Sequence, residues 1–198
     1  MSCWSLTAVR PLSRCKSRLA NHLSQERRIE LVSSMLGHVL SVLGRARGVD
    51  RVAVVSPDPP ALPTPVVALR DSGGGLNEAL TAAAVEARRR GAERLLIVHA
   101  DLPLLEPEEV TALIEASTAS GLAIAPDRHG RGTNALCLTW PATIRFEFGP
   151  ESLAKHLAQA AAWGLSPAVV RLPGLAFDVD EPDDLYSWSG PRAEVVSE

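Results

Sequence analysis

The sequence predicts a three-layer α/β fold built on a mostly parallel, Rossmann-like sheet. Short apolar, β-prone runs alternate with segments of helical periodicity along the chain, as in strand–helix–strand units. The run Leu95-Leu96-Ile97-Val98 is apolar without alternation, as a strand buried on both faces must be. It leads into His99-Ala100-Asp101-Leu102-Pro103, and Pro103 cannot donate to a ladder. Asp101 is therefore expected at the carboxyl end of a central strand, where open α/β sheets put their ligands. The competing role is a helix cap. But Pro107 and Glu108 read as the first turn of the next helix, too far along for Asp101 to cap it.

Taken in order, Trp4 to Val9 suits a first strand. It runs into Arg10-Pro11-Leu12-Ser13-Arg14-Cys15-Lys16-Ser17-Arg18-Leu19, with four cationic residues in nine positions and no acid. Such a loop after a first strand is well placed to hold phosphates; an exposed basic turn is the plainer alternative. Ser24 is expected to cap a helix whose core face is Ile29, Val32, Met35, Leu36, Val39, Leu40 and Leu43, ended by Gly44 and Gly48. Arg51 to Ser56 and Val66 to Leu69 read as the second and third strands.

Gly73-Gly74-Gly75 then frees the backbone just before a helix running from Leu76 to Arg90. Neither the dinucleotide fingerprint spacing nor a P-loop is present, so this turn is either a flexible connector or a nucleotide cradle. Asn77 either reads a base edge or caps the helix. After Asp101 come a helix from Pro107 to about Ser117, a strand Leu122 to Ala125, a loop rich in glycine and cations, and a strand Ala135 to Leu138. Ser152 and His156 lie four apart on one face of a further helix, which makes an anion site plausible beside the plainer structural role. Ala168 to Leu172 reads as a strand. Asp178 and Asp180 fall on the same side of an extended segment before a last helix that begins at Glu181-Pro182. Residues 1–190 are expected to form a single domain and 191–198 a loose tail.

The whole-chain figures narrow the function classes. The 198 residues are enough for one domain with a proper core, and 46% hydrophobic with 22% charged residues suits a globular protein. A net charge of -3 gives no basic footprint for nucleic acid. Cys3, Cys15 and Cys137 have neither disulfide-framework nor zinc spacing, and a reducing, cytoplasmic setting is expected. No signal-peptide core and no apolar run of membrane-spanning length occur, so no membrane partner is expected.

Carboxylates that hold magnesium, together with cations that hold phosphates, are the working parts of nucleotidyl transfer. Asp101, Asp178, Asp180 and the loop around Lys16 supply both. At this point the chain resembles the phosphoenolpyruvate / 2-phospho-L-lactate guanylyltransferase family of deazaflavin (F-420) coenzyme biosynthesis. The resemblance rests on Pro11-Leu12-Ser13 with Lys16-Ser17-Arg18-Leu19, Gly75-Leu76-Asn77-Glu78-Ala79-Leu80 and Ala100-Asp101-Leu102-Pro103. It continues through Asp127-Arg128 with Gly132-Thr133-Asn134-Ala135-Leu136, Phe148-Gly149-Pro150-Glu151-Ser152 with His156, and Asp178-Val179-Asp180.

The resemblance implies a fold of the nucleotidyltransferase (nucleotide-diphospho-sugar transferase) type and transfer of GMP from GTP to a small three-carbon phospho-acid. Magnesium would be held by Asp101 and Asp178, with Asp180 close by. Thr133, Gly149 and Ser152 would hold the acid. Arg10, Lys16 and Arg18 would face the triphosphate, and Gly75 and Asn77 the nucleoside. The product would pass to the next enzyme of the pathway. Phosphoenolpyruvate ranks first among the acids, ahead of 2-phospho-L-lactate and 3-phosphoglycerate. Arg10 stands where relatives usually have lysine, replacing a point charge with a planar fork. A nucleotidyltransferase for another phosphorylated acceptor and a non-catalytic nucleotide-binding regulator are the competing functions.

Overall fold

Strands β1 (Cys3–Ala8), β2 (Arg51–Ser56), β3 (Val67–Arg70), β4 (Arg94–Val98), β5 (Leu122–Pro126), β6 (Thr133–Thr139) and β7 (Ala168–Val169) form one sheet in the order β3-β2-β1-β4-β6-β5-β7. The computed structural model describes residues 1–12, 15–71, 73–140, 142 and 144–188. Ser13, Arg14 and Ser72 of the two loops singled out above, and the expected tail at 191–198, lie outside the described residues.

The β1–β2, β1–β4, β2–β3 and β5–β7 pairs are parallel. Strand β6 runs antiparallel to both β4 and β5. The reason is length: only residues 127–132 separate β5 from β6, too few for the crossover that a parallel pair needs. The sheet is thus mostly parallel, with one reversed strand inside it.

Helices α1 (Gln25–Arg45), α2 (Leu76–Arg89), α3 (Pro107–Ser120), α4 (Ser152–Ala162), α5 (Pro173–Ala176) and α6 (Pro182–Ser187) complete the fold. Alternate residues of the strands face opposite layers. Leu96 and Val98 pack with Val39, Leu43, Leu113 and Ile114 of α1 and α3. Leu95 and Ile97 pack with Leu80, Ala83 and Ala87 of α2 and Leu153 and Ala160 of α4. Small alanines on the inner face let α2 lie close to the sheet. A third apolar cluster of Leu19, Leu23, Leu31, Val32, Met35 and Val179 pins the basic loop and the Asp178–Asp180 segment to the start of α1.

Several boundaries differ from expectation for identifiable reasons. Helix α1 runs through Gly44 to Arg45, because an exposed glycine weakens a helix without stopping it; the break comes at extended Ala46, before Gly48 at φ 90°. Helix α3 continues to Ser120, where Gly121 takes the left-handed conformation at φ 75°. The strand expected over Ala168 to Leu172 is only Ala168–Val169, since Pro173 opens the short helix α5 instead.

Candidate active site

The carboxyl ends of β1 and β4 carry the first half of the site. Strand β4 stops at Val98, and the chain beyond it is tied on both sides. His99 N–H donates to the Asn134 carbonyl at 3.0 Å, and the Asp101 carbonyl accepts from Val179 N–H at 3.2 Å. These two bonds fix Asp101 against the last third of the chain.

Lys16 reaches the same place from the basic loop. Its backbone is left-handed (φ 51°) at the start of a single tight turn, Ser17–Leu19. Its ammonium donates to Asp101 Oδ2, and to Asp180 Oδ1 at 2.8 Å. Burial opposes the Lys16 charge, yet Asp101 and Asp180 outweigh it and raise the pKa above that of an ordinary lysine. Burial likewise pushes Asp101 up, but Lys16, with a smaller contribution from His99, holds it below the usual carboxylate range. Both groups therefore stay charged at neutral pH. Asp101 Oδ1 is buried and has no hydrogen-bond partner.

Asp178 differs in its surroundings. Its Oδ1 accepts a long bond of 3.4 Å from Asn134 Nδ2. Burial raises its pKa, and the negative charges of Asp101 and Asp180 raise it further. Asp180 is shared between Lys16 and the exposed Arg18, whose Nη1 lies 3.8 Å from Oδ2. Arg10 is exposed just beyond β1.

The three aspartates thus gather as the sequence suggested, but not as a three-carboxylate metal cluster. Among the described residues no three His, Cys, Asp or Glu side chains come together in an arrangement able to hold a metal ion. The Lys16 ammonium takes the position between Asp101 and Asp180 and donates to both, so one positive charge is shared between two carboxylates. What remains for a divalent cation is the orphaned Oδ1 of Asp101 and the charge-crowded Asp178. Two carboxylates suit a magnesium-like ion that takes its other ligands from phosphates and water.

The second half of the site lies around α4. Gly149 (φ 124°) and Glu151 (φ 56°) shape the turn before the helix, and Ser152 N–H donates to the Gly149 carbonyl at 3.2 Å. Thr133, Ser152 and His156 are each essentially fully buried. Thr133 Oγ1 lies 3.1 Å from His156 Nδ1, and Glu147 N–H donates to His156 Nε2 at 3.1 Å. Burial drives the His156 pKa down to about 4, against the pull of Glu147, so the ring is neutral at pH 7. The Phe148 ring bridges His156 (5.0 Å) and His99 (5.3 Å) and so connects this half to the segment carrying Asp101.

The glycine turn meets the same region. Gly75 (φ 96°) is the N-cap of α2, with no side-chain cap, so Asn77 is not the cap. Its amide is engaged twice by the Phe148 backbone instead, accepting from the N–H at 2.8 Å and donating to the carbonyl at 3.2 Å. In this conformation Asn77 braces the Phe148 loop, and both polar atoms of its amide are engaged.

Three further residues hold the site together and had no assigned role. Asp184, 4% exposed, accepts from the N–H groups of Asp180 and Glu181, both at 2.7 Å, and pairs with Arg128. Arg128 also donates to the Asp178 carbonyl at 3.1 Å and lies 5.0 Å from the centre of the Phe177 ring. Asn134 donates to the Leu175 carbonyl at 3.1 Å beside Asp178. The legible signal for Asp184 was its place three residues after Glu181 at a Pro-led helix start, where a carboxylate caps free N–H groups.

Comparison with known proteins places the chain in a family. Residues 4–188 match the family described as guanylyl transferase CofC like. The phosphoenolpyruvate guanylyltransferase of Sphaerobacter thermophilus is 47% identical over 194 residues, covering 96% of this chain and 94% of the relative. That of Rubrobacter xylanophilus is 42% identical over 190 residues, covering 93% and 92%. A Desulfovibrio desulfuricans G20 structure described as of the nucleotide-diphospho-sugar transferase kind superposes with a TM-score of 0.77 at 18% identity, covering 93% of this chain and 85% of that one. At that identity the likeness establishes the fold. The sequence matches over nearly the whole length establish more: the chain belongs to the guanylyl transferase CofC-like family of nucleotidyltransferases.

Proposed function

We propose that the protein transfers GMP from GTP to phosphoenolpyruvate, giving enolpyruvoyl-2-diphospho-5'-guanosine and pyrophosphate in deazaflavin coenzyme F-420 biosynthesis. The observation that carries this is the junction of two differently built halves. One is the Lys16–Asp101–Asp180 cluster with the free Asp101 Oδ1. The other is the buried group Thr133, Ser152 and His156 at the start of β6 and of α4, where the helix dipole favours an anion.

The phosphate oxygen of the acid attacks the α-phosphorus of GTP in line with the departing pyrophosphate. The nucleophile is already anionic, so no general base is required, and catalysis is positioning plus charge neutralisation. Thr133, Gly149 and Ser152 hold the acid. The turn at Gly75 faces the nucleoside, while Asn77 keeps the Phe148 loop in place beside it. Lys16, Arg10 and Arg18 neutralise the triphosphate, which requires Lys16 to exchange at least one of its carboxylate partners for phosphate. A divalent cation, magnesium by preference, held by Asp101 and Asp178, would neutralise phosphate charge and align the reacting oxygens. Asp180 serves as the partner of Lys16. The setting is cytoplasmic, and the product passes to the next enzyme of the pathway.

Pyrophosphate release from GTP, measured in parallel with phosphoenolpyruvate, 2-phospho-L-lactate and 3-phosphoglycerate, tests this directly. Turnover is expected with phosphoenolpyruvate and is expected to fall away on chelation of divalent metal. Asp101→Asn is expected to fold normally and lose at least ~100-fold in rate, about 3 kcal/mol of transition-state stabilisation. Near-normal turnover by that variant would remove the metal assignment.

A further inference from the structure

His156 has no path to solvent and makes two hydrogen bonds, and these two bonds determine where its proton sits. The Glu147 backbone N–H can only donate, so Nε2 must be the bare, accepting nitrogen. A neutral imidazole carries one N–H, which leaves the proton on Nδ1. Nδ1–H then donates to Thr133 Oγ1 at 3.1 Å. That contact uses one of the hydroxyl's two acceptor sites, and because Nδ1 is already the donor, the hydroxyl's own proton must go elsewhere. Among the described residues no acceptor takes it.

We propose that His156 is a positioning residue for substrate: as its Nδ1–H tautomer it fixes Thr133 as a hydroxyl donor, delivering that proton to an anionic oxygen of the acid. This rests on the proposed function only in placing the acid at Thr133; the tautomer itself follows from the bonding. A hydroxyl so oriented favours a group that only accepts, such as a carboxylate or phosphate oxygen, over one that must donate. The low His156 pKa, about 4, keeps the arrangement intact across the physiological range. Protonation would place a hydrogen on Nε2 against the Glu147 N–H and break it.

Two substitutions separate this role from simple support of the Glu147–Phe148 loop. The side-chain amide of asparagine reaches the place of Nδ1 and can still donate to Thr133; that of glutamine reaches the place of Nε2 and can still accept from Glu147. His156→Asn is therefore expected to keep the KM for the acid within about threefold of wild type. His156→Gln is expected to raise it roughly tenfold, with the KM for GTP unchanged. On a Thr133→Val background His156→Gln is expected to add no further increase. The opposite order, with glutamine tolerated and asparagine damaging, would show that the ring only braces the loop and would overturn the proposal.

A second measurement needs no activity and no variant. Long-range proton–nitrogen NMR of the histidine rings in the wild-type protein is expected to show His156 as the Nδ1–H tautomer from pH 6 to 8; the Nε2–H form would overturn the proposal. If wild type releases no pyrophosphate with any of the three acids while the Nδ1–H tautomer is found, the proposed function fails and the bonding inference stands.

Discussion

Lys16 occupies a backbone region that costs a non-glycine residue on the order of 1–3 kcal/mol, and the conformation persists because its ammonium is anchored between two carboxylates. Asp184 shows the same economy of parts, holding two backbone N–H groups and Arg128 with one carboxylate. Asp184→Ala is expected to destabilise the fold by about 2–3 kcal/mol, less than for a fully buried pair because Arg128 is 31% exposed. The Asp178–Asp180 segment should loosen with it, and chemical denaturation together with the metal dependence of turnover checks both effects. His156 gives a pH signature. Its pKa is about 4 in the folded protein against an ordinary 6.5, so between those values the unfolded chain binds the extra proton. The stabilisation from a neutral, buried His156 is complete above about pH 6.5 and is lost as pH falls toward 4, on the order of 3 kcal/mol over the window. Urea unfolding at pH 7 and pH 5 is expected to show this slope in wild type and a flatter one in His156→Gln. An equal slope in both would contradict the assignment.

At the scale of elements, the sequence was most legible where local chemistry decides. Ser24 caps α1 as expected, its hydroxyl accepting from Arg27 N–H at 3.3 Å. Ser24→Ala is expected to lower stability by about 1 kcal/mol, read by chemical denaturation, because one free N–H of the first turn loses its acceptor. Gly149→Ala should behave differently. At φ 124° an added Cβ strains the turn that presents Ser152, so a similar loss of stability is expected together with a raised KM for the acid. What local patterns did not reveal was set by neighbours. The direction of β6 follows from the shortness of the loop before it, and the apolar run Ala135 to Leu138 is equally at home in either orientation. Helix α5 was hidden because Leu172-Pro173 reads as the end of a strand as readily as the start of a helix.

Over the whole molecule, the fold and the gathering of acids and cations could be read from order and spacing, because a strand end followed by a carboxylate has few other meanings in an α/β sheet. The pairing inside the gathering could not. Lys16 meets Asp101 across 85 residues and Asp180 across 164, and no local rule says that an ammonium will come between these two carboxylates. Asn77 is the same lesson from the other side of the site: a residue suited to a base edge is occupied by Phe148, 71 residues away. The overall picture is one sheet whose carboxyl edge brings the Lys16–Asp101–Asp180 cluster and the buried Thr133–His156 group together. Its most direct test is phosphorus NMR of the protein incubated with GTP, phosphoenolpyruvate and magnesium. Pyrophosphate and a new guanosine diphosphate diester are expected in equal amounts, and only when the acid is present. GTP left intact, or converted to GDP and phosphate without the diester, would contradict the proposed transfer.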